Sequence, residues 1–169
     1  MTATIPVGVL DARARLVADD EYLPQIRALV AGARQTCLCS MFIVDLTPRV
    51  HGRPIVDSVL ADLAEARWRG VDVRLLIGGS RDNTEIAETA DVARARALQF
   101  GIPVRWVTSH PRRGTHAKLV IVDDFVLTGS HNWSAGAFTN QTQDSVLVAS
   151  KDLALYLTAM FERSWADVA

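Results

Sequence analysis

Residues Thr115–Asp144 read THAKLVIVDDFVLTGSHNWSAGAFTNQTQD. Two short apolar runs, HAKLVIV and FVLTG, are separated by Asp123 and Asp124, residue types that favour turns, and the pattern predicts a β-hairpin. A loop of small and polar residues follows, and Ser145–Ala149 then predicts one more strand. His116 and Lys118 stand two apart, so on an extended chain they project from one face while Ala117 and Leu119 face the other way. A histidine and an ammonium are thereby held side by side. Beyond the hairpin, Gly129, Ser130 and Asn132 offer a close-approach backbone position, a hydroxyl and an amide, all suited to phosphate oxygens.

Upstream of the hairpin, helical and extended patterns alternate. Leu23, Ile26, Leu29, Val30 and Ala33 recur at helical spacing between Tyr22 and Arg34. TCLCSMFIV is an uninterrupted apolar run, as expected of a strand covered on both faces. A helix over Ile55–Arg69 is predicted to close at Gly70, with Trp68 packed inside. VDVRLLI predicts a strand, Asp91–Phe100 a helix closed by Gly101, and PVRWV another strand. Downstream, Ser150 can cap a final helix whose apolar side comprises Leu153, Leu155, Tyr156, Met160, Phe161 and Trp165. The expected architecture is one α/β domain spanning residues 1–169, a mixed β-sheet flanked by helices on both faces.

The 169 residues carry a formal net charge of −1, so any polyanion site must be local rather than a property of the whole surface. Cys37 and Cys39 alternate on a strand and are expected to be buried thiols on one face, badly placed for a disulfide and too few for zinc. No stretch approaches the roughly 20 apolar residues that span a bilayer. The first 20 residues lack the basic start and apolar core of a secretory signal, which sets the expectation of a cytoplasmic protein.

The pattern His116-x-Lys118-x4-Asp123-x5-Gly129-Ser130-x-Asn132 resembles the HKD signature of the phospholipase D superfamily, and in particular its single-motif bacterial endonucleases. The likeness implies that His116 attacks phosphorus and forms a covalent phosphohistidine, without metal or other cofactor. It also implies that Lys118 and Asn132 hold the non-bridging oxygens, that Ser130 adds a hydroxyl donor, and that Asp144 orients His116 from where the family usually has Glu. The chemistry fits the residue types: neutral imidazole is a competent nucleophile near pH 7, and a fixed ammonium stabilises charge building on phosphate. Asp123 carries the third letter of the signature but lies about five residues, roughly 16 Å, along the strand from Lys118. A role in holding the turn is expected there. Arg112 and Arg113, just before the motif, are expected to contact flanking phosphates. His131 is a further candidate near the cleft, whereas His51 and His110 are treated as loop residues. Trp133 is expected to buttress the loop.

Cleaving a phosphodiester needs a nucleophile on one side of phosphorus and an acid on the other, and one histidine cannot be both at once. The chain has a single His-x-Lys set. A homodimer with its two-fold axis at the active site would supply two. The leading expectation is therefore a dimeric, metal-independent endonuclease acting on DNA or RNA. A phospholipid or other phosphodiester hydrolase is the second reading, and a non-catalytic nucleic-acid-binding or assembly module the third.

Overall fold

Thr36–Met41 is the strand on which the fold is built, and Cys37 to Met41 are buried on both of its faces. The computed structural model describes residues 11–46, 53–79, 83–108 and 115–168. In chain order the elements are β1 (Arg13–Ala18), a 3-10 turn (Asp19–Glu21), α1 (Tyr22–Gly32), β2 (Thr36–Met41), α2 (Arg53–Trp68), β3 (Asp72–Gly79) and α3 (Thr84–Gln99). They continue with β4 (Val104–Thr108), β5 (Lys118–Val122), β6 (Phe125–Gly129), α4 (Ala135–Thr139), β7 (Asp144–Ala149) and α5 (Lys151–Asp167). Arg112, Arg113, His51 and His110 lie outside the described residues.

The strands form one seven-stranded mixed sheet in the order β1-β7-β6-β5-β2-β3-β4. β2, β3 and β4 run parallel, and every other neighbouring pair is antiparallel. Strand alternation divides the core in two. Cys37, Cys39, Met41, Val73, Leu75, Ile77, Val120, Val122 and Leu127 pack with residues of α1, α2 and α3 on one face. Leu38, Leu76, Ile121 and Val126 pack under Ala154 and Phe161 of α5 on the other. The sheet is thus flanked on both faces, as expected. Cys37 and Cys39 are free, buried thiols on one face.

Turn chemistry matches the sequence at several points. Gly70 and Gly101 take the left-handed conformation behind α2 and α3, with φ of 92° and 71°. Asp123 adopts φ 49° at the β5–β6 turn, a conformation that Asp tolerates. Its carboxylate accepts from the backbone N–H groups of Arg34, Gln35 and Thr36, each at 2.9 Å, tying the hairpin to the entry of β2.

Two expectations need correction, and one strand has no counterpart in the expected element order. α3 starts at Thr84 rather than Asp91, because the Asn83 side chain accepts from the N–H groups of Glu85 and Ile86 and caps the helix a full two turns earlier. Trp68 is not packed inside. It is 93% exposed, since the inward stripe of α2 runs through Val56, Val59, Leu60, Leu63 and Ala66. β1 carries Arg13 and Arg15 and buries only Val17; the residues alternating with the arginines, Ala14 and Leu16, are exposed, so no buried apolar face marks the strand.

Candidate active site

β2 ends where β5 begins, with Met41 paired to Lys118, and the next residue, Phe42, donates its N–H to the carbonyl of Ala117 at 2.8 Å. The carboxyl ends of parallel strands, where sheet direction reverses, are the usual place for ligands in open α/β sheets. Gly78, near the end of β3, makes the approach possible. A Cβ there would lie 2.5 Å from the Thr115 carbonyl oxygen and 2.9 Å from Phe42 Cα, so only glycine lets the segment leading into His116 lie this close.

Phe42, His116, Lys118, Gly129, Ser130 and Asn132 line a cavity of about 440 Å³ at this point. The His116 ring is exposed and leans on Phe42, with ring centroids 4.2 Å apart. Lys118 Nζ lies 3.1 Å from His116 Nδ1, donates to the His116 carbonyl at 3.1 Å, and sits 5.0 Å from the Phe42 ring centroid. Partial burial pulls the Lys118 ammonium below the ordinary lysine range. The cation is therefore poorly hydrated and available to an anion.

The second wall comes from the β6–α4 loop. A Cβ on Gly129 would lie 2.3 Å from the Asp144 carbonyl oxygen and 2.4 Å from Ser145 Cα, so glycine is required where β6 and β7 close together. Asn132 is half-buried. Its Oδ1 is buried and has no hydrogen-bond partner among the described residues, and the side chain lines the cavity. Trp133 is fully buried, donates its indole N–H to Tyr22 Oη at 3.3 Å, and anchors the loop to residues 43–45 through backbone bonds. It buttresses the loop, as expected.

Three sequence expectations take a different form, and a fourth, that Asp123 holds its turn, is met. Ser130 does line the cavity, but its hydroxyl is engaged by the start of β7: it donates to Gln143 Oε1 at 2.5 Å and accepts from the Asp144 N–H at 3.0 Å. Its proton is already engaged, so Ser130 braces the loop. Asp144 meets the loop through its backbone, and no hydrogen bond joins its carboxylate to His116 among the described residues. Alternation along β7 sends its side chain to the face opposite Ser145. His131 is not at the cleft surface; it is fully buried beneath the loop, because its ring stacks on Tyr22 at 4.3 Å. Asp123 holds the distant turn and is remote from the cavity lining. Gln143 was missed. One more polar residue in the run NQTQD gives no sign in sequence that its amide will reach Ser130.

Residues 26–165 match the model of the family described as "Cardiolipin synthase, PLD-like domain". The chain is 30% identical over 146 residues to cardiolipin synthase A of Pseudomonas aeruginosa, in an alignment covering 81% of this chain and 29% of that protein. It thus spans less than a third of the length of the relatives it matches. Among solved structures it is similar to Nuc from Salmonella typhimurium, a phospholipase D family member, with TM-score 0.74, 22% identity, and coverage of 94% of this chain and 97% of that one. NucT from Helicobacter pylori superposes with TM-score 0.67 at 12% identity, covering 94% and 99% of the two chains.

Proposed function

Because the chain belongs to the phospholipase D-like family, a family of phosphodiester enzymes, we propose that it is a metal-independent endonuclease that cleaves DNA or RNA through a phosphohistidine on His116. The observation that carries this reading is the juxtaposition of an exposed His116 imidazole and the partly desolvated Lys118 ammonium on the rim of one cavity with the Asn132 amide. A nucleophile and two groups able to hold non-bridging oxygens line one cavity.

The His116–Lys118 contact gives the cycle an order. An ammonium can only donate, so Nδ1 of His116 accepts and the neutral ring carries its proton on Nε2. In that tautomer Nε2 is occupied by its proton and cannot attack phosphorus. Attack through Nε2 requires the ring proton on Nδ1, so Lys118 must first move from Nδ1 to the incoming phosphate, and the ring must release its Nε2 proton to solvent and take one up at Nδ1. His116 Nε2 then forms the P–N bond as the P–O bond to the leaving alkoxide breaks, and a second histidine protonates that oxygen. Water, deprotonated by the same second histidine, hydrolyses the P–N bond and regenerates His116. We place the second histidine on a second copy of this chain, related by a two-fold axis, since each chain holds one His-x-Lys set. Arg112 and Arg113, preceding the motif in sequence, are proposed to contact phosphates flanking the scissile bond.

The identity with cardiolipin synthase A favours a second reading, cleavage or transfer at a phospholipid phosphodiester. Among the described residues no helix is long and apolar enough to cross a membrane. Incubation in EDTA with labelled single- and double-stranded DNA and RNA, and in parallel with phosphatidylglycerol vesicles, separates the two. Cleavage of a nucleic acid that is lost in His116→Ala supports the nuclease. Turnover of lipid alone, or strict dependence on added magnesium, contradicts it.

A further inference from the structure

Beneath the cavity, four side chains outside its lining are joined to the loop that carries Asn132. Nδ1 of His131 lies 2.8 Å from Ser145 Oγ, and Nε2 lies 3.0 Å from the Asp19 carbonyl oxygen. Asp19 belongs to the turn after β1 and takes φ 47°, a left-handed conformation for a residue with a Cβ. It is held there by three bonds. Its N–H donates to the Gln143 carbonyl at 2.9 Å, its carboxylate accepts the Gln143 N–H at 2.8 Å, and its carbonyl meets His131. Gln143 in turn accepts the Ser130 hydroxyl proton. The His131 ring stacks on Tyr22, which receives the Trp133 indole N–H.

We propose that His131 is a positioning residue, the central peg of a bracket through which Asp19, Ser145 and Gln143 fix the backbone of Ser130–Asn132 and so aim the Asn132 amide at phosphate. This rests on the functional reading above. The chain on either side of His131 is pinned independently: Ser130 N–H donates to the Asp144 carbonyl at 2.8 Å, and Trp133 N–H to the Ile43 carbonyl at 3.0 Å. Among the described residues, the span between them is tied down from below by His131, the residue adjacent to Asn132.

The partners also fix which histidine form does this. A carbonyl oxygen can only accept, so Nε2 carries the proton, and Nδ1 is left bare to accept the Ser145 hydroxyl. Both nitrogens are thus satisfied by a neutral ring, and burial lowers the tendency of His131 to take a second proton. His131 therefore does not serve as the second acid of the reaction. A displacement of the Asn132 amide by about 1 Å is enough to cost on the order of 100-fold in rate, which sets the scale of the effect.

The test compares the 169-residue chain with His131→Phe, which keeps a ring against Tyr22 and loses both hydrogen bonds, and with Ser145→Ala, which removes only the Nδ1 partner. With a fluorescent oligonucleotide substrate, His131→Phe is expected to lower kcat roughly 10- to 100-fold with KM within about threefold, and Ser145→Ala to lower kcat by a smaller factor. Folded His131→Phe with wild-type kcat overturns the proposal. Should His131→Phe fail to fold, wild-type kcat in Ser145→Ala does the same. Nitrogen chemical shifts of His131 provide a readout independent of activity: a protonated Nε2 and bare Nδ1 at neutral pH support the bracket, and the opposite tautomer overturns it. A wild-type protein that cleaves no nucleic acid refutes the functional reading and leaves the bracket to stand or fall on those shifts.

Discussion

The Lys118 ammonium lies 3.1 Å from Nδ1 of His116, a contact possible because both side chains leave one face of the same extended segment. If this ammonium holds phosphate in the transition state, Lys118→Met should lower kcat by about 100- to 1,000-fold, the usual cost of one oxyanion-stabilising donor. Lys118→Arg should not restore it. The forked guanidinium is longer and cannot sit at this distance from Nδ1. Single-turnover cleavage rates check both variants.

Ser130 and Asn132 should separate sharply despite sharing one loop. Asn132→Ala removes an amide that meets the cavity and is expected to cost about 100-fold or more in kcat. Ser130→Ala removes a brace to Gln143, and a loss of about tenfold or less is expected. Equal losses in steady-state kinetics would put the Ser130 hydroxyl on the phosphate after all.

Asp123 is expected to matter for stability and not for chemistry. Asp123→Ala leaves three backbone N–H groups of residues 34–36 without their acceptor, at a cost of about 2–3 kcal/mol. For a domain of this size that is roughly 4–12 °C in Tm, with kcat of the folded enzyme near wild type. Burial alone would raise the pKa of this carboxyl, but the three N–H donors outweigh it and hold it below the usual carboxylate range. Its contribution is therefore full above about pH 4 and is lost as pH falls through the lowered folded-state value. Thermal melts of wild type and variant should converge in that acid range.

If two copies of His116 meet at one dimeric site as proposed, they must differ in charge for the reaction to proceed, one neutral and one protonated. kcat/KM should then follow a bell-shaped pH profile, and a monotonic rise from about pH 5 to 9 would count against the pairing.

Much of the fold was legible because β2 and the amphipathic helices obey simple periods. The Thr36–Met41 run, the Gly70 and Gly101 terminations and the Asp123 turn each follow from local chemistry. β1 was not legible: Ala14 and Leu16 alternate with Arg13 and Arg15, but the run is short and these apolar residues stay exposed on an edge strand. α4 is a five-residue helix, too short to show a period. For the site, fixed two-residue spacing brought His116 to Lys118. The loop resisted the same reading, because the direction of Ser130, His131 and Asp144 depends on cross-strand register with β7 and on Asp19, 112 residues away from His131. Those contacts are long-range, and no local pattern encodes them.

The central claim is that His116 becomes covalently bonded to phosphorus. Rapid acid-free quenching of a single turnover on internally phosphorus-32-labelled DNA and RNA in EDTA, followed by peptide mapping, tests it most directly. The expected result is an acid-labile, alkali-stable label on the peptide containing His116, absent from His116→Ala. Cleavage that persists in His116→Ala, or a label on another residue, would contradict it.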